Sequence, residues 1–296
     1  MFLSSTLKKF SYVALLSSIG VSFLGVRAIT GNTSTSRNVI FSETFAGGDL
    51  QNWGKDIAWK HEGKKFTEPG TEICCNHSVK LDDSIAREGR HSARFTLYKD
   101  DPLATNSKRA ELRLGAVPTK SEYWYGFSIY LPPGYIKDPS FEIVNQWNAR
   151  PDFKLGEKWR SPQLALVTAD GKWHVHRRWD HQQVTKNNTP AGKETITLGA
   201  YQTGVWTDWV FRVKWSYEAD GLVEVWKNGK LVVRKTGPNT YNDEVGPYQK
   251  FGVYKTDWKH HPEKSRASVR VLYFDSIRMG DASAEYADVA PGERRP

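Results

Sequence analysis

The segment at residues 109–114 reads RAELRL and alternates strictly between charged side chains and small or apolar ones. Because successive side chains of a β-strand point to opposite faces, the apolar residues would share one face and pack into a core. The charged residues Arg109, Glu111 and Arg113 would share the opposite face. This pattern predicts one strand of a layered β structure whose second face is available for function.

A second segment, residues 141–148, divides in a similar way. We expect Phe141, Ile143 and Trp147 on a core face and Gln146 and Asn148 on the opposite face. The amide groups of Gln and Asn can donate hydrogen bonds to a carboxylate. The second face of this strand is therefore also a candidate binding surface.

A third segment, residues 250–258, alternates Phe251 and Val253 with Lys250, Tyr254 and Trp258. If the polar faces of all three strands lie on one sheet, they form a basic groove with aromatic platforms. The alternative is three ordinary faces that are simply solvated. The joint presence of Gln, Asn, Tyr and Trp favours the groove.

Short strand-like runs separated by turn residues continue along the chain, and Asn228-Gly229 between two of them is a strong hairpin signal. Similar runs at residues 41–45 and 273–277 would pair the two ends of the domain. The pattern predicts an all-β fold, a sandwich or jelly roll of two antiparallel sheets, as one domain over residues 40–282. The 296 residues are 39% hydrophobic and 25% charged, which excludes a disordered chain, a coiled coil and a multi-span membrane protein.

The N-terminal residues have the pattern of a secretory signal over residues 1–28. Lys8 and Lys9 precede an apolar run, and small residues surround Arg27 at the expected cleavage site. An uncleaved membrane anchor is the alternative. We expect a secreted protein, extracellular or periplasmic, with no membrane attachment after cleavage, a loose leader at residues 29–39 and a C-terminal tail at residues 283–296.

The formal charge of +9 falls to 9 − 3 = +6 when Lys8, Lys9 and Arg27 leave with the signal. A basic secreted protein favours a polyanionic partner, because a positive cleft concentrates anions. Nucleic acid, anionic polysaccharide and an anionic cell surface all qualify, as does a basic surface without a partner. The two cysteines, Cys74 and Cys75, are adjacent and form either a vicinal disulfide or two free thiols.

Elimination from a uronic acid is the chemistry that fits these residues best. The sequence has no closely spaced pair of carboxylates for glycoside hydrolysis, no G-x-S-x-G elbow and no Gly-rich phosphate loop. Gln146, Asn148 and Arg109 can neutralise a uronate carboxylate. A Tyr hydroxyl such as that of Tyr254 can transfer the proton, and Lys250 supplies a cation near it.

On these residues the sequence resembles the jelly-roll polysaccharide lyases, in particular the family shared by glucuronan lyases and heparin lyase I-like proteins. Related alginate lyases have an Arg-x-Glu-Leu-Arg strand, a Gln-x-His strand and a Tyr-Lys strand. Here these read as residues 109–113, 146–148 and 254–255, within a resemblance over roughly residues 40–280. The resemblance implies a concanavalin-like sandwich with a concave substrate groove that acts as a monomer on an anionic polysaccharide, with no cofactor required for catalysis.

Asn148 departs from the His that many relatives have at this position, and Asn cannot act as a base. Either activity is lost or Tyr254 is both base and acid. In a 4-linked β-D-glucuronate the C5 hydrogen and O4 lie on the same ring face, so one Tyr can reach both. Asn148 therefore favours glucuronate or mannuronate over guluronate and iduronate.

The catalytic set predicted from the sequence is Tyr254, Gln146, Asn148 and Arg109. The predicted substrate-binding set is Arg113, Lys250, Lys255, Trp258, Glu111 and His176, with Glu111 orienting Arg109 and Arg113. Glu43 and Asp275 are candidates for a structural calcium site, as in many jelly rolls.

The leading function is a secreted lyase for a glucuronan-like polyuronate. A non-catalytic, lectin-like module on the same fold is the alternative. Binding of nucleic acid is disfavoured because no recognisable motif accompanies the charge.

Overall fold

Two antiparallel β-sheets lie face to face in this protein, for which a computed structural model describes residues 38–50, 53 and 70–292, with the backbone alone for residues 59–61 and 64–66. In chain order the strands are β1 (Val39–Glu43), β2 (Trp59–His61), β3 (Lys64–Phe66), β4 (Gly70–Glu72), β5 (Val79–Asp82), β6 (Ser92–Tyr98), β7 (Arg109–Ala116), β8 (Glu122–Tyr130), β9 (Glu142–Asn148), β10 (Leu164–Ala169), β11 (Lys172–Trp179), β12 (Gly192–Ala200), β13 (Trp206–Lys214), β14 (Leu222–Lys227), β15 (Lys230–Thr236), β16 (Tyr248–Tyr254) and β17 (Val269–Gly280). Within the described residues the α-helices are short: α1 (Asp257–His260) and α2 (Tyr286–Val289).

The first sheet, called the groove sheet below, has the strand order β12-β11-β10-β9-β16-β7-β4. The second, called the back sheet, has the order β15-β14-β13-β8-β17-β6-β5, with β1 paired to β17. A separate hairpin joins β2 and β3. The chain crosses between the two main sheets repeatedly, as in a jelly roll, and the predicted fold class is confirmed.

The core between the sheets is built from aromatic side chains that the strand alternation directs inward. Trp147 of the groove sheet packs against Phe211 of the back sheet with ring centroids 4.8 Å apart, and Trp173 packs against Trp209 at 5.2 Å. All four side chains are fully buried. Each large apolar side chain buried in this way stabilises the fold by about 1.5–3 kcal/mol.

Several local predictions are confirmed by the strand pairing. β14 and β15 form a hairpin through Asn228 and Gly229, whose φ angles of 48° and 80° are those of the tight turn that the sequence indicates. The chain ends also meet, because Glu43 of β1 pairs with Ile277 of β17. In β7 the apolar face enters the core as expected, with Ala110, Leu112 and Leu114 at most 1% exposed.

The alternation predicted for residues 141–148 is wrong at its beginning, because β9 contains a β-bulge. Leu166 of β10 pairs with Asn145, but the next residue, Val167, pairs with Ile143. The extra residue inverts the alternation. Phe141 and Ile143 therefore line the groove together with Gln146 and Asn148, while Trp147 is in the core.

The third predicted strand ends earlier than the sequence pattern indicates. β16 stops at Tyr254, and the chain then turns into α1, which contains Trp258. Gly252, two residues before the end, has a φ of 136°, and a Cβ there would lie 2.1 Å from the Ala110 carbonyl oxygen. This position requires glycine because β16 and β7 approach each other closely.

The domain ends differ from the predicted boundaries in two places. Val39 belongs to β1 and not to a leader, and the predicted C-terminal tail contains α2. Val289 of α2 is fully buried against Trp124 and Val210 on the outer face of the back sheet. The predicted signal at residues 1–28 lies outside the described residues. Among the described helices, none has the length and apolar character needed to span a bilayer.

Candidate active site

A groove of about 990 Å³ extends over the outer face of the groove sheet. Its volume is at the upper end of the range for small-molecule pockets, which suits an extended ligand. The charged side chains of Lys, Arg, Asp and Glu along its lining are Arg109, Arg113, Arg160, Arg178, Lys250, Lys259 and Glu72. Six cations against one carboxylate give the lining an excess of positive charge, and such a surface attracts polyanions. Three of the cations, Arg109, Lys250 and Arg160, also pair with carboxylates beneath the lining.

The strand register brings residues from distant parts of the sequence side by side in the groove. Lys250 of β16 pairs with Arg113 of β7 on one side and with Gln146 of β9 on the other. Tyr254, four residues further along β16, pairs with Arg109 and with Ile143. The polar faces of β7, β9 and β16 therefore lie on one sheet, as predicted.

Tyr254 is half-buried in the groove and lies directly against a cation. The guanidinium carbon of Arg109 lies 4.4 Å from the centre of the Tyr254 ring. Ile143 and Phe141 pack near Tyr254 and provide an apolar surround on the side of β9. The ring therefore has one charged face and one apolar neighbourhood, which fixes its position in the groove.

Arg109, the cation against Tyr254, belongs to a cluster of two cations and two carboxylates. Glu72 of β4 pairs with Arg109 at 2.5 Å and with Lys250 at 3.1 Å. Glu111 pairs with the same two cations, at 3.3 and 3.6 Å. Glu111 thus orients Arg109 as predicted, and it orients Lys250 as well. Lys250 is only 2% exposed. Its ion pairs therefore stabilise the cluster, in addition to any contact that it makes with a ligand.

Electrostatics favours the charged forms of Glu72, Arg109 and Lys250 in this cluster. Burial opposes the charge on Glu72, but Lys250 and Arg109 outweigh it and hold the pKa of that carboxyl below its usual value. Burial also disfavours the Lys250 ammonium, yet Glu111 and Glu72 outweigh it and raise the Lys250 pKa. The cluster is a stable, nearly neutral support for the Arg109 guanidinium.

The two amide residues predicted from β9 are held by fixed hydrogen bonds. Gln146 donates from Nε2 to the Glu111 carboxylate. Asn148 accepts at Oδ1 from the Ala149 amide at 2.9 Å. Because its oxygen is engaged, Asn148 presents its NH₂ group as the donor for a ligand in the groove.

The opposite side of the groove is formed by β10 and β11. Ala165, a small residue, pairs with Gln146 and with His176, so it leaves space between them. Burial, together with Arg178 and His174, lowers the His176 pKa to about 4. His176 is in the groove, as predicted, and at neutral pH it is an uncharged imidazole that can both donate and accept hydrogen bonds.

Three of the predicted substrate-binding residues do not line the groove: Glu111 is 1% exposed and lies beneath it, and Lys255 and Trp258 lie elsewhere. Lys255 is fully buried, where its Nζ donates to the Ser140 carbonyl at 2.6 Å and pairs with Asp138 at 3.2 Å. Trp258 is 4% exposed and donates from Nε1 to Ser265 at 2.7 Å. The predictions for Lys255 and Trp258 are wrong because β16 ends at Tyr254, and the turn into α1 ends the alternation on which they depended.

The structure gives the two candidate calcium ligands other partners. Asp275 accepts hydrogen bonds from the backbone amides of Arg87, Glu88 and Ser276 at 2.6–3.0 Å, and Glu43 accepts one from Phe45. Burial raises the Asp275 pKa to about 6. Within the described ranges, one group of three potential metal ligands occurs, formed by Cys74, Cys75 and Asp101. Neither Glu43 nor Asp275 belongs to it. Those two cysteines form a vicinal disulfide.

Several groove residues were not singled out in the sequence. Glu72 is on a strand of three residues that gives no periodic signal, and its role arises only from pairing with β7. Arg178 follows His176 by two residues on β11, so strand parity from His176 would have found it. Others, from loops or strand ends, include Trp159, Arg160, Tyr248 and Lys259.

Similarity to solved structures agrees with this fold. Endo-β-1,4-glucuronan lyase from the fungus Trichoderma reesei has a TM-score of 0.68 at 18% identity, over 86% of this chain and 99% of that one. Alginate lyase A1-II′, a member of polysaccharide lyase family-7, has a TM-score of 0.50 at 14% identity, over 71% and 86% of the two chains. No curated protein sequence matches.

The two antiparallel sheets, with a groove across one of them, form a jelly roll, the fold class that this chain shares with these two structures. Residues 45–278, more than half of the chain, match the family model described as polysaccharide lyase. The chain belongs to this polysaccharide lyase family.

Proposed function

We propose that this lyase cleaves a 4-linked, glucuronan-like polyuronate by β-elimination, with Tyr254 as the proton-transfer group. The observation that carries the proposal is the position of Tyr254 in the groove, with the Arg109 guanidinium against its ring and Gln146 and Asn148 on the same sheet face. A lectin-like site needs aromatic and amide groups but has no use for a Tyr held against a buried ion cluster.

The proposed reaction moves one proton and breaks two bonds of the substrate, C5–H and C4–O4. Asn148, Gln146 and Arg109 neutralise the C6 carboxylate, which makes the C5 proton more acidic. Tyr254, as phenolate, takes that proton. The electron pair of the C5–H bond forms the C4–C5 double bond, and the C4–O4 bond breaks. Tyr254 then gives its proton to O4, which regenerates the phenolate and leaves a 4,5-unsaturated uronate.

Asn148 favours substrates whose C5 hydrogen and O4 lie on one ring face, because a single Tyr then serves both steps. Glucuronate and mannuronate meet this condition, whereas guluronate and iduronate do not. The neighbour from Trichoderma reesei is a glucuronan lyase, which supports the choice of glucuronate. We also propose that the protein is secreted after cleavage following Ala28, so that N-terminal sequencing of exported protein would begin at Ile29.

The test is the ultraviolet absorbance of the conjugated double bond at about 235 nm. Purified protein is incubated in parallel with glucuronan, polymannuronate, polyguluronate, heparin and hyaluronan. We expect a rise with glucuronan and none with polyguluronate. A rise with polyguluronate alone would contradict the same-face argument, and retention on glucuronan without a rise on any polymer would favour the lectin-like alternative.

Substitution of the proposed proton-transfer group separates catalysis from binding. We expect Tyr254→Phe to abolish the absorbance rise while retention on a glucuronan matrix is unchanged. Tyr98→Phe, on the back sheet, is the matched control and should behave as wild type in both assays. Residual turnover in Tyr254→Phe close to wild type would assign proton transfer to another residue.

A further inference from the structure

An exposed tryptophan lies at the rim of the groove, on the loop of residues 149–163 that joins β9 to β10 and is called the rim loop below. Trp159 is 58% exposed, the highest value among the large hydrophobic side chains of the described residues. It lines the groove beside Arg160. Its ring meets Phe153, itself 45% exposed, edge to face at 5.6 Å.

The rim loop is fixed by a buried ion cluster at its base. Arg160 pairs with Glu157 at 2.9 Å and with Asp243, and all three side chains are 1–2% exposed. Glu157 also accepts hydrogen bonds from the backbone amides of Asp152 at 2.9 Å and Thr185 at 2.8 Å. The residue next to Trp159 is therefore one of the most firmly held in the loop.

Further contacts fix the other side of the same loop. The Arg160 guanidinium carbon lies 4.2 Å from the centre of the Tyr241 ring. The Tyr241 hydroxyl donates to the Ser161 carbonyl at 2.9 Å, and the Ser161 amide donates to Asn188 Oδ1 at 2.8 Å. Trp159 is thus an exposed apolar ring on a rigid support. A ring held in this way binds a ligand with little loss of conformational entropy.

We propose that Trp159 is a stacking platform for one sugar residue of the polysaccharide, at the end of the groove away from Tyr254. The inference rests on the proposed function, because it takes the groove ligand to be a polyuronate. The apolar C–H face of a pyranose ring fits flat on an indole ring.

The position of the rim loop supports a distal subsite. The loop leaves β9 at Asn148, whose partner on β16 is Tyr248. Tyr248 and Tyr254 are at opposite ends of β16, so the rim loop begins beyond Asn148, at the end of the groove away from Tyr254. The sugar on Trp159 and the sugar at Tyr254 are therefore two different sugar units of one polysaccharide molecule.

The experiment measures retention in native gels that contain glucuronan, together with kcat and KM on polymer and on short oligosaccharides. We expect Trp159→Ala to weaken retention and raise KM on polymer by roughly 3- to 10-fold, with kcat unchanged. KM on oligosaccharides too short to reach the rim should not change. Trp159→Phe should restore most of the retention, and Tyr98→Ala, an exposed aromatic on the back sheet, is the matched control.

Ionic strength separates stacking from charge. The ratio of wild-type to Trp159→Ala retention should stay constant between about 0.1 M and about 1 M salt, because screening acts on charges and not on apolar contact. A ratio that falls to one at high salt would overturn the proposal, as would equal retention of the two proteins. A change in oligomeric state with unchanged retention would assign Trp159 to a protein contact and overturn it too.

The outcome for Trp159 is independent of the outcome for catalysis. Retention that depends on Trp159 without any absorbance rise would support the platform and contradict the lyase reaction on this polymer. An absorbance rise with retention and KM indifferent to Trp159 would support the reaction and overturn the platform.

Discussion

Glu72→Gln is the substitution that tests most directly how the candidate active site is held together. Glu72 is one of two carboxylates that face the cations Arg109 and Lys250, and its side chain is 12% exposed. The amide of Gln has the same shape but no charge. The variant leaves two buried cations with a single carboxylate, that of Glu111, which lies 3.3 Å from Arg109 and 3.6 Å from Lys250.

The magnitude follows from the burial of the cluster. Removal of one partner from a fully buried ion pair costs about 3–5 kcal/mol, because the other charge remains without compensation. Glu111 still contacts both cations, so we expect about 2–3 kcal/mol from Glu72→Gln. For a domain of this size that corresponds to a decrease in Tm of about 4–12 °C. Because Arg109 lies against Tyr254, kcat should fall in the same variant.

The assay is thermal unfolding followed by circular dichroism, with kcat measured well below the transition. Glu218→Gln is the matched control, since Glu218 also pairs with a lysine, Lys120 at 2.9 Å, but its side chain is 57% exposed. Exposed pairs contribute roughly 0–1 kcal/mol, so the control should unfold close to wild type. Equal unfolding temperatures for Glu72→Gln and Glu218→Gln would refute the assignment of Glu72 as a support of the site.

Three further predictions concern other parts of the molecule. The pH profile of kcat should show no inflection from His176 between pH 6 and 8, because the His176 pKa is about 4. His176→Gln should therefore leave the shape of the profile unchanged. If the wild type has an inflection in this range that the variant lacks, the argument from burial of His176 is wrong. Gly252→Ala should lower the urea midpoint of unfolding, because steric conflict at a φ of 136° should reduce the free energy of unfolding by about 2–4 kcal/mol. A midpoint equal to that of the wild type would show that β16 and β7 can separate freely. The pKa of Asp275 is raised to about 6 from 3.8 in the unfolded chain, so the folded form binds the proton more tightly and the free energy of unfolding should fall by ~2 kcal/mol as pH rises from 4 to 6. In Asp275→Asn this slope should be absent, and an unchanged slope would assign it to other groups.

Strand parity predicted the site where the strands are regular and failed where they are not. β7 alternates without interruption, so the faces of Ala110 and Arg109 were predicted correctly. In β9 a single extra residue near Asn145 reverses the order and moves Ile143 into the groove. A bulge depends on the pairing with neighbouring strands, and no local pattern in residues 141–148 indicates it.

The missed residues share a different cause, which is the distance along the chain between partners. Glu72 is 37 positions from Arg109 and 178 positions from Lys250, yet it contacts both. Its strand has three residues, too few for a periodic signal. Trp159 is on a loop whose course depends on the buried pair of Arg160 and Asp243, and a tertiary contact of this kind has no signature in either local sequence.

The packing of α2 on the back sheet determines where a recombinant fragment of this protein can end. The backbone carbonyl of Val289 comes so close to Gly126 that a Cβ there would lie 1.7 Å from it. A recombinant fragment cut at the limits of the family match, residues 45 and 278, would lose both β1 and α2. It would expose Trp124, Val210 and Trp226 to solvent as one apolar patch and leave β17 without one of its neighbours. Such a fragment should precipitate although every groove residue is present, so the unit that is recognised by sequence is smaller than the unit that folds.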